Sequence, residues 1–179
     1  DCKVKGIKMQ KNASVENVIT MREYKSLLEH LAADGKWKVY FIVKFLAGTG
    51  CRASELAKLE KSCLSNGEFT LWTKGKIRTI MIPKHLIEES REYFKTVDSN
   101  YLFPNRFGEQ ITTRGIGCLI KKYGLKYKIR EEVLHPHAFR HLFAILFLKE
   151  NKNIALLSDI LGHESLNTTA IYLRLSAAE

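Results

Sequence analysis

His135-Pro136-His137-Ala138-Phe139-Arg140-His141, followed by Leu161-Gly162-His163 and then Thr168-Thr169-Ala170-Ile171-Tyr172, is the stretch from which the rest of the chain can be read. A helix is expected over about 136–150, with its apolar residues at helical spacing. His137 and Arg140 are three apart and so share one helix face. Further helices are expected over about 153–161 and 167–174. Upstream lies Gly48-Thr49-Gly50-Cys51-Arg52-Ala53-Ser54-Glu55-Leu56, a glycine break that leads into a short helix carrying an arginine.

Working outward, Thr20-Met21-Arg22-Glu23 has the capping-box pattern and opens a helix to about Ala33. From Trp37 to Ala47 the chain is apolar almost all round, which marks a core helix; Gly48-Thr49-Gly50 is expected to break it. Residues 68–82 change period. Phe69, Leu71 and Thr73 alternate with Thr70, Trp72 and Lys74, and Ile80 and Ile82 alternate with Thr79 and Met81, about a Lys74-Gly75-Lys76 turn. That is a β-hairpin. Pro83 ends it and starts a helix to about Val97. Tyr101-Leu102-Phe103-Pro104 is a short extended piece, and another helix covers about 112–123. The fold class is mainly α with one small antiparallel β-hairpin (α+β).

The chain has 179 residues, 45% hydrophobic and 27% charged, the composition of one globular domain. It contains no apolar run long enough for a membrane span and no signal-peptide pattern. Lys and Arg number 29 against 19 Asp and Glu, a net charge of +10. That excess points to a polyanion, nucleic acid first. Cys2, Cys51, Cys63 and Cys118 are scattered with no CxxC spacing, which argues against structural zinc or a disulfide framework and suits a reducing cytoplasm.

The motifs in this order resemble the tyrosine recombinase (integrase) family. Its pattern is an arginine in Gly-x-Gly-x-Arg-x-x-Glu-Leu, a lysine on a β-hairpin, His-x-x-Arg, Leu-Gly-His, and a tyrosine about nine residues later; Tyr172 is nine after His163. The resemblance covers roughly residues 15–176 and implies the tyrosine recombinase catalytic-domain fold. It also implies DNA cleavage and rejoining through a 3′-phosphotyrosyl ester on Tyr172, the nucleophile. Arg52 and Arg140 would hold the phosphate, since a guanidinium stays charged and presents a planar fork of donors. His137 would accept the tyrosine proton and His163 would donate to the phosphate. The hairpin lysine, Lys74, would protonate the leaving 5′-oxygen. Here the hairpin is one residue shorter than the commoner family form, so Lys76 competes with Lys74. Two arginines and a lysine can do the electrostatic work of Mg²⁺ in nucleases, so no metal or other cofactor is expected.

Blander readings stand beside these. Arg52 can simply pair with Glu55, which the family suggests orients it. His163 can be a helix-terminal residue, and Tyr172 a core residue. His141 divides between support and packing, and His135 is structural or DNA-facing rather than catalytic. Three other functions compete: an inactive DNA-binding relative, a type IB topoisomerase, and a helix-turn-helix factor. The expected partners are double-stranded DNA and other protomers in a tetrameric synapse, with no membrane. The expected location is the cytoplasm, on the nucleoid when bound to DNA. Residues 1–19 are read as a linker and 20–179 as the catalytic domain. The N-terminal DNA-clamping domain of the family is expected to be absent from this chain, and only a short segment follows Tyr172.

Overall fold

Thr20 starts the first helix by the expected exchange. Its hydroxyl accepts the Glu23 N–H at 3.2 Å, and the Glu23 carboxylate accepts the Thr20 N–H at 2.8 Å. The computed structural model describes residues 18–73, 76–162, 169, 170 and 172. The assignments to Lys74 and His163, and the side chain of Lys76, lie outside the described residues. Helix α1 (Met21–Ala33) turns Leu27 and Leu31 inward and stops at Asp34-Gly35, where Gly35 is left-handed. Val18 and Ile19, at the end of the stretch read as a linker, are buried.

Helix α2 (Trp37–Thr49) is the centre of the core, with Val39, Phe41, Ile42, Val43, Phe45 and Leu46 all buried. Two details differ from expectation. The helix runs through Gly48 and Thr49 and ends only at Gly50, because hydrogen bonding and burial on both sides outweigh the propensity cost of one glycine. Trp37, in the first turn, is 44% exposed rather than part of the core. Short helices α3 (Ala53–Leu56) and α4 (Ser62–Asn66) follow. Strands β1 (Glu68–Thr73) and β2 (Lys76–Met81) then pair antiparallel, in register from Glu68↔Met81 to Thr73↔Lys76. Leu71, Arg78 and Ile80 face the body, while Thr70, Trp72, Ile77, Thr79 and Met81 face out.

Pro83 caps α5 (Lys84–Lys95), and Thr112 caps α6 (Thr113–Lys126), accepting the Gly115 N–H at 3.0 Å. A 3₁₀ turn (Glu131–Val133) precedes α7 (Pro136–Glu150), and Asn153 caps α8 (Ile154–Leu161). Thr169, Ala170 and Tyr172 have helical backbone. Phe45, Phe94 and Phe103 meet edge-on, with centroids 5.5–5.8 Å apart, each pair contributing about 0.5–1.5 kcal/mol beyond its area burial.

Helix α7 joins two apolar clusters. Ala138, Phe139 and Leu142 belong to the main core with α2. Ala144, Ile145 and Leu148 form a smaller cluster with Val18, Leu157, Leu161 and Tyr172. Arg140, on the same helix, is also buried. Among the described residues, no helix is long and apolar enough to cross a membrane.

Candidate active site

The turn after α2 is built to present Arg52. Gly50 is left-handed (φ 64°), and a Cβ there would sit 2.4 Å from a Phe143 ring carbon, so both conformation and space demand glycine. The Thr49 hydroxyl donates to the Phe45 carbonyl at 2.7 Å and accepts the Cys51 N–H at 3.2 Å. Arg52 is then extended at the start of α3. The Glu55 carboxylate accepts the Arg52 backbone N–H at 2.7 Å and guanidinium Nη1 at 2.9 Å. The Arg-x-x-Glu spacing therefore does what the pairing reading and the orienting reading both required.

Arg140 is 1% exposed. Its Nη1 donates to the Gly50 carbonyl and its Nη2 to the Leu161 carbonyl, both at 2.6 Å. Arg52 Nη2 donates to the Gly162 carbonyl at 2.9 Å. Leu161 ends α8 and Gly162 is its left-handed cap. Both arginines thus grip the C-terminal carbonyls of α8, where the helix dipole is negative and backbone acceptors are otherwise unsatisfied. This is the turn that leads into His163. Burial first, then the Arg52 and Arg78 charges, pull the Arg140 pKa down to about 10, so it stays cationic at neutral pH.

A third arginine was missed in the sequence. Arg78 on β2 is 9% exposed, and its Nε lies 2.8 Å from Glu55 Oε1 as an ion pair. Its guanidinium presses on the α8 turn: a Cβ on Gly162 would lie 1.8 Å from Arg78 Nη1. A signal was present, since the hairpin alternation that turns Ile80 inward turns Arg78 inward as well. Arg78 Nε and Nη1 and Arg140 Nε are buried without a hydrogen-bond partner among the described residues. Among the described residues, this cluster sets three guanidiniums against the one carboxylate of Glu55, which suits it to an anion.

His135 accepts the Ala138 N–H at 3.2 Å and caps α7, a structural role. His137 follows in the first turn of α7, on its exposed side. Desolvation of its ring, then the Arg140, His135 and Arg52 charges, hold its pKa below the usual histidine value. The His137 and His141 rings meet edge-on at 4.4 Å, and the His141 ring lies 5.3 Å from that of Tyr172. The ring beside Tyr172 is therefore that of His141, a neighbour for which the sequence offered only even alternatives. Tyr172 is 2% exposed, and burial pushes its phenol up to about 12 against the opposing pull of Arg140. The packed position of the core-tyrosine reading and proximity to the arginines hold together. Arg52, Arg140, His137 and Tyr172, up to 120 residues apart in the chain, are thus gathered around α7 and the end of α8.

Tyrosine recombinases are the class defined by this helical architecture, with its hairpin and its two arginines on one interhelical turn. Sequence comparison agrees: the chain belongs to the phage integrase family, whose model matches residues 17–179. It is 37% identical over 168 residues to tyrosine recombinase XerA of Pyrococcus furiosus, covering 89% of this chain and 57% of that protein. It is 31% identical over 176 residues to tyrosine recombinase XerD of Staphylococcus haemolyticus, covering 91% of this chain and 59% of that protein. The chain therefore spans less than two thirds of the length of these relatives. The crystal structure of a XerA recombinase superposes with a TM-score of 0.75 at 28% identity, covering 94% of this chain and 61% of that one. A XerH site-specific recombinase in a pre-cleavage complex with difH substrate gives 0.73 at 25% identity, covering 96% of this chain and 54% of that one.

Proposed function

We propose that residues 20–179 are the catalytic domain of a site-specific DNA recombinase that cuts and rejoins strands without a metal. The observation that carries this is the surplus of buried guanidinium charge on the α8 turn, with Tyr172 packed close behind it. Arg52 and Arg140 hold the non-bridging oxygens of the scissile phosphate. Preorganised donors of this kind contribute about 10²–10³ in rate each. Tyr172 Oη attacks phosphorus and forms a 3′-phosphotyrosyl ester, keeping the bond energy for rejoining. A phenol held near 12 is protonated at neutral pH, so the attack needs an acceptor. His137, kept neutral by its lowered pKa, is that acceptor, and its ring meets that of His141, which lies beside the phenol. Lys74 protonates the leaving 5′-oxygen, and His163 donates to the phosphate. The partners are double-stranded DNA, favoured by the +10 charge, and further protomers assembled as a tetramer on it, in the cytoplasm.

The test is covalent capture. The chain is incubated with a pool of nicked duplexes of randomised sequence in excess EDTA, and adducts are resolved under denaturing conditions. A protein–DNA adduct is expected. On a duplex recovered from that pool, Arg52→Ala and Arg140→Ala should each slow adduct formation by at least about 10². Cleavage that needs added Mg²⁺ and leaves no adduct would refute the reading.

A further inference from the structure

We infer that Arg78 is a positioning residue that fixes Arg52 for the phosphate by backing both of the groups Arg52 donates to; this rests on the reaction proposed above. The Arg52 side chain is 41% exposed, so its placement depends on the groups it donates to. Its guanidinium has two acceptors, Glu55 Oε1 at 2.9 Å and the Gly162 carbonyl at 2.9 Å. Arg78 stands against each. Its Nε is 2.8 Å from the same Oε1, which holds that oxygen in place from the buried side. Its Nη1 occupies the space beside Gly162 that any side chain there would fill.

Arg78 is engaged inside the protein, with its Nε against Glu55 and its Nη1 against Gly162, so it acts through Arg52. Burying so long a cation on a strand costs desolvation and rotamer entropy. A hydrophobic residue at this inward position, between Leu71 across the ladder and Ile80 two residues along, would serve the core without that cost. What the guanidinium adds is a link between β2, α3 and the end of α8, the three elements that meet at Arg52. Misplacing a reacting group by about 1 Å can cost 10² in rate, so a residue that never meets the substrate can still govern it.

The experiment is a double-mutant cycle on single-turnover adduct formation, using the full chain and the duplex recovered from the randomised pool. Arg78→Met keeps an unbranched apolar stem and removes the charge. It should slow adduct formation by about 30-fold, within the range for misplaced groups, and leave DNA affinity within about threefold. In an Arg52→Ala background the same change should slow the reaction by no more than about threefold, because the group it positions is already gone. A purely structural Arg78 would lose the same factor in both backgrounds, and that result overturns the inference. So does an Arg78→Met rate within about threefold of wild type. If thermal melting shows Arg78→Met to be unfolded, Arg78→Lys carries the same cycle: it keeps the charge, but one nitrogen cannot span from Glu55 to Gly162. A wild-type chain that forms no adduct overturns the recombinase reading and this inference together, whereas an active wild type with additive losses overturns this inference alone.

Discussion

Glu55→Gln isolates the electrostatics of the site, because it keeps the shape of the side chain and removes its charge. Glu55 is 2% exposed and meets Arg78 at 2.8 Å and Arg52 at 2.9 Å. At an effective dielectric of about 20, each contact is worth about 6 kcal/mol of Coulomb energy. The Arg52 half is discounted heavily, since that side chain is 41% exposed and solvent screens it. The Arg78 half is not, but desolvation of the two buried ions, several kcal/mol, offsets much of it. Removing one partner from a buried pair leaves the other uncompensated, and such changes cost about 3–5 kcal/mol. Glutamine retains an acceptor oxygen, so about 3 kcal/mol is the expected loss, at the low end of that range. For a domain of this size, that lowers Tm by about 6–12 °C. Differential scanning calorimetry at neutral pH measures it directly. A Tm within about 2 °C of wild type, or above it, would refute the argument that Glu55 holds the guanidinium cluster together.

Gly162→Ala should cost more than Gly67→Ala. Both glycines are left-handed, a strain of about 1–2 kcal/mol for alanine, but a Cβ on Gly162 would lie 1.8 Å from Arg78 Nη1, while one on Gly67 would face open space. Equal Tm losses would contradict that packing. For His137, folding favours the neutral ring, so its contribution to stability is full above the usual histidine pKa and is lost as pH falls through the lower folded value. NMR titration should place the ring below 6.5, and adduct formation should hold level from pH 8 to 6.5; a ring pKa at or above 7 contradicts this. For the hairpin, a 5′-bridging sulfur leaves without a proton, so Lys74→Ala should recover near wild-type cleavage on that substrate while failing on ordinary DNA. Rescue of Lys76→Ala alone would give the acid role to Lys76.

Much of the architecture was legible because local signals agreed with the tertiary outcome. The Thr20-x-x-Glu23 box, the two-sided apolar run of α2, the alternating hairpin and Pro83 each name their element unaided. The short pieces were not legible: α4 is five residues long and the 3₁₀ turn three, and both owe their form to packing rather than periodicity. In the site, the spacing of Arg52 and Glu55 sufficed to pair them. Where the guanidiniums of Arg52 and Arg140 end did not follow from spacing, because their partners are main-chain carbonyls of a turn about 20 to 110 residues away. Arg78 is hard to single out because a lone arginine in a strand is usually solvent-facing, and only the pleat parity shared with Ile80 marks it as buried. The spacing of Tyr172 after Leu161-Gly162-His163 points to its chemistry, whereas its depth in the small cluster beside His141 is a property of α7 and α8 packing.

The most direct test of the account is to identify the residue that carries the DNA. Adducts formed by the wild-type chain on nicked duplex are digested with protease and nuclease, and the phosphotyrosyl peptide is sequenced by mass spectrometry. The account predicts a single modified residue, Tyr172, and loss of the adduct in Tyr172→Phe with DNA affinity nearly unchanged, since only one hydroxyl is removed. An adduct that survives Tyr172→Phe, or one that maps to Tyr123 or Tyr127, would contradict it.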